Sequence, residues 1–152
     1  MHRFAWLLFA VGLLGGCSDT SGSAGVTTTT APPESPIAVC REAASTFAAL
    51  PPPGTFEEAK THAATAAVDI AIAADTVEDP NLRAALKQVA DGLAALSRAE
   101  VGPAAADAVA TLTATYDTLD DLASGMETAE CGSESWGRQI VAAAADFTGA
   151  GG

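Results

Sequence analysis

Side chains able to do chemistry are few in this chain, and they are scattered. His62 follows Glu58 by one helical turn, and Asp69 comes two turns later on a nearby face. An imidazole and two carboxylates could grip a divalent metal if all three converged. Di-iron bundles, however, place Glu-x-x-His on paired helices, and this chain carries Glu-x-x-x-His once. The expected role of His62 is that of a solvent-facing helix residue, and no metal site is expected. Tyr116, the single tyrosine, is of a type that ligates haem iron. It falls on an apolar stripe, where tyrosine ordinarily packs with its hydroxyl at the rim. Asp117 and Asp121, one turn apart with Asp120 beside them, lack the alternating oxygen ligands of a calcium loop and read as a solvated acidic face. A Ser-His-acid set would have to recruit His62, and neither a Gly-x-Ser-x-Gly elbow nor a glycine-rich phosphate loop occurs. No catalytic residue and no cofactor are expected. Trp136 joins His62 and Tyr116 as a ligand candidate: left exposed at a bundle end it forms a binding patch, and turned inward it completes the core.

The cysteines carry a different message. Cys17 is set in L-L-F-A-V-G-L-L-G-G-C-S-D-T, residues Leu7 to Thr20. His2 and Arg3 make a short basic start, and the apolar run from Phe4 to Leu14 is too short to span a bilayer. With Gly15 and Gly16 directly before Cys17, this is a secretory signal with a processing site. The quartet Leu14-Gly15-Gly16-Cys17 resembles the bacterial lipobox. The resemblance implies a diacylglyceryl group on the Cys17 thiol and removal of residues 1–16; an ordinary signal peptide that leaves Cys17 as a free thiol is the other reading. Residues 17–35 follow as a lipidated end and a Ser/Thr/Gly/Pro tether with almost nothing apolar to bury. Thr27 to Thr30 with Pro32 and Pro33 resembles the glycosylated spacers of actinobacterial lipoproteins, and a bare flexible linker is equally open.

Charge narrows the partners. The chain holds 19 acids against 7 Lys and Arg, for a net charge of −12. Loss of Arg3 with the leader takes it to −13, one base fewer and no acid fewer. Nucleic acid is not an expected partner, because no basic patch exists to release counterions from phosphates. Attraction to an anionic membrane surface is not expected either, so attachment must come from lipid. If Cys17 is acylated, Cys40 and Cys131 remain as an even pair in an oxidising compartment, where a disulfide is the default. A metal pair and two free buried thiols are the alternatives, and with one histidine left after the leader zinc is poorly served.

The elements that must hold these residues are helices. From Ser35 onward the apolar spacing is helical, and no stretch alternates as a strand would. Helix 1 starts at Ser35-Pro36 with Ile37, Cys40, Ala44 and Phe47 on one face, and Pro51-Pro52-Pro53-Gly54 stops it. Helix 2 opens on the capping box Thr55-x-x-Glu58 and carries Phe56, Ala59, Ala63, Ala66, Ile70, Ala73 and Val77. Asp79-Pro80 introduces helix 3 with Leu82, Leu86, Val89, Leu93 and Leu96. Gly102-Pro103 introduces helix 4 with Val109, Leu112, Tyr116, Leu119, Ala123 and Met126, weakened at its end by Gly125 and the acidic 127–130. Ser133 is expected to cap a short helix 5 bearing Trp136, Ile140, Ala143 or Ala144, and Phe147.

Short connections make neighbours antiparallel. The expected fold is an all-α, antiparallel four- to five-helix bundle over 36–148, rich in alanine and held by one disulfide, with a frayed 149–152. If helices 1 to 4 form the bundle proper, the short helix 5 covers one end. In that alternation Cys40 and Cys131 fall at the same end, so the bridge and the topology support each other. The expected function is that of a non-enzymatic module on the extracytoplasmic face of the cell membrane. It would meet the membrane through its lipid and bind an envelope protein or small ligand. A carrier of lipid or haem in the bundle core is the alternative.

Overall fold

The computed structural model describes residues 36–126 and 131–149. The chain divides into two units, Met1–Ala31 and Pro32–Gly152, and every described residue belongs to the second. Cys17, the 17–35 tether, the Ser35 cap, the acidic 127–130 and the last residues 150–152 lie outside the described residues.

The helices are α1 (Pro36–Ala48), α2 (Phe56–Thr76), α3 (Pro80–Arg98), α4 (Pro103–Gly125) and α5 (Arg138–Thr148), with a 3₁₀ turn at Ser133–Trp136 before α5. Proline at the first position of α1, α3 and α4 fixes φ where no amide partner is lost. At the head of α2 the Glu58 amide donates to Thr55 Oγ1 at 3.2 Å, while Glu58 Oε2 accepts from the Gly54 amide at 2.7 Å. The box thus satisfies two amides, but the return bond goes to Gly54 rather than to Thr55. Asp79 Oδ1 accepts from the amides of Asn81 (2.9 Å) and Leu82 (2.8 Å). Arg83 then reaches back, its Nε donating to the Val77 carbonyl at 2.9 Å, and places a cation at the negative end of α2.

Four helices close into a ring: α2 packs on α3, α3 on α4, α4 on α5 and α5 on α2. Its interior sets the alanines of α2 (Ala59, Ala63, Ala66, Ala74) and Ile70 against the fully buried leucines Leu82, Leu86, Leu93 and Leu96 of α3 and Leu112 and Leu119 of α4. Small residues on one face let large ones from its neighbours fill the space. Gly92 shows how close α3 and α4 approach, because a Cβ there would meet Leu112 Cδ2 at 2.6 Å.

The fourth member of the ring is α5, and α1 stands outside it. The bundle proper is therefore not helices 1 to 4. The long connection after α4 returns the chain to the open side of α2, where Ile140, Val141 and Ala144 are buried, whereas α1 packs mainly on the 3₁₀ turn and only thinly on α2. That placement rotates α1, so Val39 and Cys40 turn inward and Ile37 is 39% exposed. Trp136 belongs to the 3₁₀ turn rather than to helix 5. Gly137, at φ +84° in the left-handed region, separates the two, so Ser133 does not cap α5. Phe147, expected in the core, is 38% exposed near the end of α5.

Candidate functional site

The turn that carries Trp136 is clamped from three sides. From α4, Asp120 Oδ1 accepts from the Ser133 amide at 2.7 Å, and its Oδ2 accepts from Ser133 Oγ and Arg138 Nη1, each at 2.8 Å. Arg138 Nη2 also meets Asp117 Oδ1 at 3.0 Å. Tyr116 Oη donates to the Trp136 carbonyl at 2.8 Å. From α1, Cys40 is bonded to Cys131 with the Cα atoms 5.0 Å apart. From α5, Arg138 Nη1 donates to Ser133 Oγ at 3.1 Å, and Gln139 Nε2 donates to the Phe47 carbonyl at 2.9 Å and ties down the far end of α1. These contacts fix the indole by covalent and charge-assisted bonds rather than by one continuous helix.

Thin packing of α1 on α2 leaves a cleft of about 430 Å³. Val39 and Phe47 of α1, Ile72 of α2 and Trp136 supply apolar walls, and Glu42 and Asp69 supply one carboxylate from each helix. Neither carboxylate has a hydrogen-bond or ion-pair partner among the described residues. Ile72 is 62% exposed at the mouth. Trp136 is fully buried, and its Nε1 has no hydrogen-bond partner among the described residues. Buried donors are ordinarily paired, and an orphan costs about 1–3 kcal/mol. A second, more open hollow of about 370 Å³ adjoins at Phe47 and is bounded by Leu50, Glu134 and Gln139.

The three groups that suggested a metal are not brought together. Glu58 is engaged in the cap of α2 and Asp69 lies in the cleft, which His62 does not line. His62 is half-buried rather than solvent-facing, with a covered Nδ1 that has no partner among the described residues. Among the described residues no group of three His, Cys, Asp or Glu could hold a metal ion. Tyr116 is fully buried, not at the rim. Burial pushes its phenol well above the ordinary tyrosine value, and the nearby Arg138 charge opposes that rise to a smaller extent. As a haem ligand it would have to give up its bond to Trp136 and ionise against that burial. Asp117 and Asp120 form an ion-paired corner with Arg138 instead of a free acidic face.

Arg138, Gln139 and Glu42 were not singled out by sequence reasoning, and Ser133 only as a helix cap. One signal for Arg138 was available: it is the only Lys or Arg after Arg98, and it follows a run of three aspartates. Residues 35–125 match the family described as a domain of unknown function, DUF8711. The chain belongs to this family. The match takes in α1 to α4 with Cys40 and Tyr116, while Cys131, Trp136, Arg138 and all of α5 lie beyond it. In this DUF8711 member the cleft is therefore built from both parts, two matched helices and one tryptophan from the C-terminal extension. No curated protein and no solved structure matches the chain.

Proposed function

We propose that this DUF8711 member is a non-enzymatic binding module of the cell envelope, anchored by lipid on Cys17 to the extracytoplasmic face of the membrane. The observation that carries the binding role is the α1–α2 cleft, walled by a rigidly held Trp136 whose N–H lacks an acceptor. The anchor is supported by Leu14-Gly15-Gly16-Cys17. Absence of turnover is supported by the way the reactive side chains are used: Ser133, Asp120 and Arg138 bond one another, and Tyr116 is sealed in the core. Binding in the cleft is favoured over carriage inside the ring, because leucines and Ile70 already fill the ring.

Two measurements test this reading. Cys17→Ala should move the protein from the membrane fraction to the soluble one, and unchanged membrane association removes the anchor. A photocrosslinker placed at Ile72 in the native envelope should capture a ligand or partner that the same group at Val101, exposed but outside the cleft, does not. Equal labelling at both positions removes the cleft.

A further inference from the structure

The chemistry of the cleft restricts what it can hold. Its two charged groups are both acids, one on each wall, and neither is neutralised by the protein among the described residues. An anionic occupant would repel them, and a neutral one would strip water from them without compensation; a cation does neither. The net charge of −12 adds a longer-range field of the same sign. Phe47 and Trp136 in the same walls offer aromatic surface of the kind that attracts ammonium groups. A volume of about 430 Å³ lies within the range of small-molecule sites.

Trp136 adds an independent mark. Its indole N–H is a donor without an acceptor among the described residues, and the residue is fully buried and lines this cleft. A ligand carrying an oxygen acceptor would satisfy it. The nitrogen itself is covered, so the oxygen would reach it as α1 gives way from α2, on which it packs more thinly than on the 3₁₀ turn.

We propose that the cleft binds an organic cation. Its ammonium group sits with Glu42 and Asp69, its apolar body lies against Phe47 and Ile72, and an oxygen accepts from Trp136 Nε1–H. Acylated quaternary ammonium compounds unite these three features. This rests on the reading of the cleft as the binding site, and the test separates the two.

The disulfide-bonded full chain is titrated calorimetrically with hexanoylcholine, hexyltrimethylammonium, methyl hexanoate and hexanoate. The indole N–H resonance of Trp136 is followed in parallel, with Trp6→Phe to assign it. Hexanoylcholine should bind and shift that resonance. Hexyltrimethylammonium, which lacks the carbonyl, should bind about tenfold more weakly, as expected for one lost hydrogen bond. Hexanoate should not bind. Glu42→Gln and Asp69→Asn should each weaken hexanoylcholine about threefold, the scale of partly exposed charge pairs, and together reduce its salt dependence to what the remaining net charge supplies. Both positions are exposed, so these variants keep the fold. Trp136→Phe should abolish the preference for the carbonyl compound over hexyltrimethylammonium. Equal affinity for hexanoylcholine and methyl hexanoate, or tighter binding of hexanoate, overturns the cation while the cleft survives as a binding site. Failure of all four to bind overturns the ligand class, and capture at Ile72 then decides whether the cleft binds anything at all.

Discussion

α3 and α1 come from the same alanine-rich chain and are held by opposite means. α3 buries Leu82, Ala85, Leu86, Val89, Ala90, Leu93 and Leu96 between two neighbours that run its length. α1 buries Val39, Cys40 and Phe47, packs mainly on a single 3₁₀ turn, and is fastened by a disulfide near its start and the Gln139 bond at its end. Burial of a large side chain contributes about 1.5–3 kcal/mol. Ordering each backbone residue costs about 1–2 kcal/mol, so Val39 and Phe47 alone cannot fix a helix of 13 residues. The contrast teaches that α1 is kept in place by linkage and the ring by packing. A helix held in that way can leave a cleft beside it, whereas a member of the ring cannot.

The largest effect should come from cutting the linkage. Reduction, or Cys40→Ser with Cys131→Ser, removes the closure of a loop with a sequence separation of 91, for which the chain-entropy model gives about 4–5 kcal/mol. Amide exchange should rise in α1 first and leave α3 protected at low temperature. Simultaneous exchange of both helices would erase the distinction. Next comes Leu93→Ala, about 3 kcal/mol in a site with no solvent exposure, which should lower the midpoint of global unfolding and deprotect α2, α3 and α4 together. Phe47→Ala should instead raise exchange in α1 with little change in α3.

A smaller effect tests how tightly the ring is packed. Gly92→Ala improves helix propensity by about 1 kcal/mol, yet its methyl would meet Leu112 Cδ2 at 2.6 Å. Leu112 is fully buried and has little room to move, so overpacking wins and the variant should lose about 1–2 kcal/mol by denaturant melt. Gly125→Ala, with nothing within 4 Å, should be neutral or slightly stabilising. The smallest change is Tyr116→Phe, about 1 kcal/mol for the lost bond to the Trp136 carbonyl. Because folding raises the phenol above its ordinary 10.0, the unfolded chain releases that proton first, and stability present below pH 10 is lost as the pH climbs beyond it. Tyr116→Phe should flatten that alkaline loss, and phenolate absorbance in the parent should appear together with unfolding.

The boundaries of the helices were legible because proline, Asp79 and the Thr55–Glu58 box act on their own neighbours. The leucine stripe of α3 was legible because large residues at helical spacing have one way to be buried. The pairing of Cys40 with Cys131 agreed with the expected topology, although the helices around it took different places. What escaped was which helix completes the ring. Faces with as few large buried residues as those of α1 (Val39, Phe47) and α5 (Ile140, Val141) commit to no particular partner, so the choice falls to a long connection and to contacts distant in sequence. Arg138 with Asp117 and Asp120, and Gln139 with Phe47, are of that kind. The cleft escaped for the same reason: it is a consequence of where α1 does not pack. Even Trp136 was legible as a type and not as a place, since a 3₁₀ turn ended by a left-handed glycine leaves no periodic trace.

The position of Cys40 has a mechanical meaning. It lies about one helical turn beyond Pro36, where the N-terminal part of the chain joins the described domain. A pull on that end passes through the first turn of α1 and then splits, part of it crossing the covalent bond to Cys131 and the turn that follows it. Val39 and Trp136, two walls of the cleft, lie at the start of these two branches, whereas Glu42 and Phe47 lie beyond the branch point. Tension on the N-terminal end would thus be felt by one side of the cleft and spared by the other.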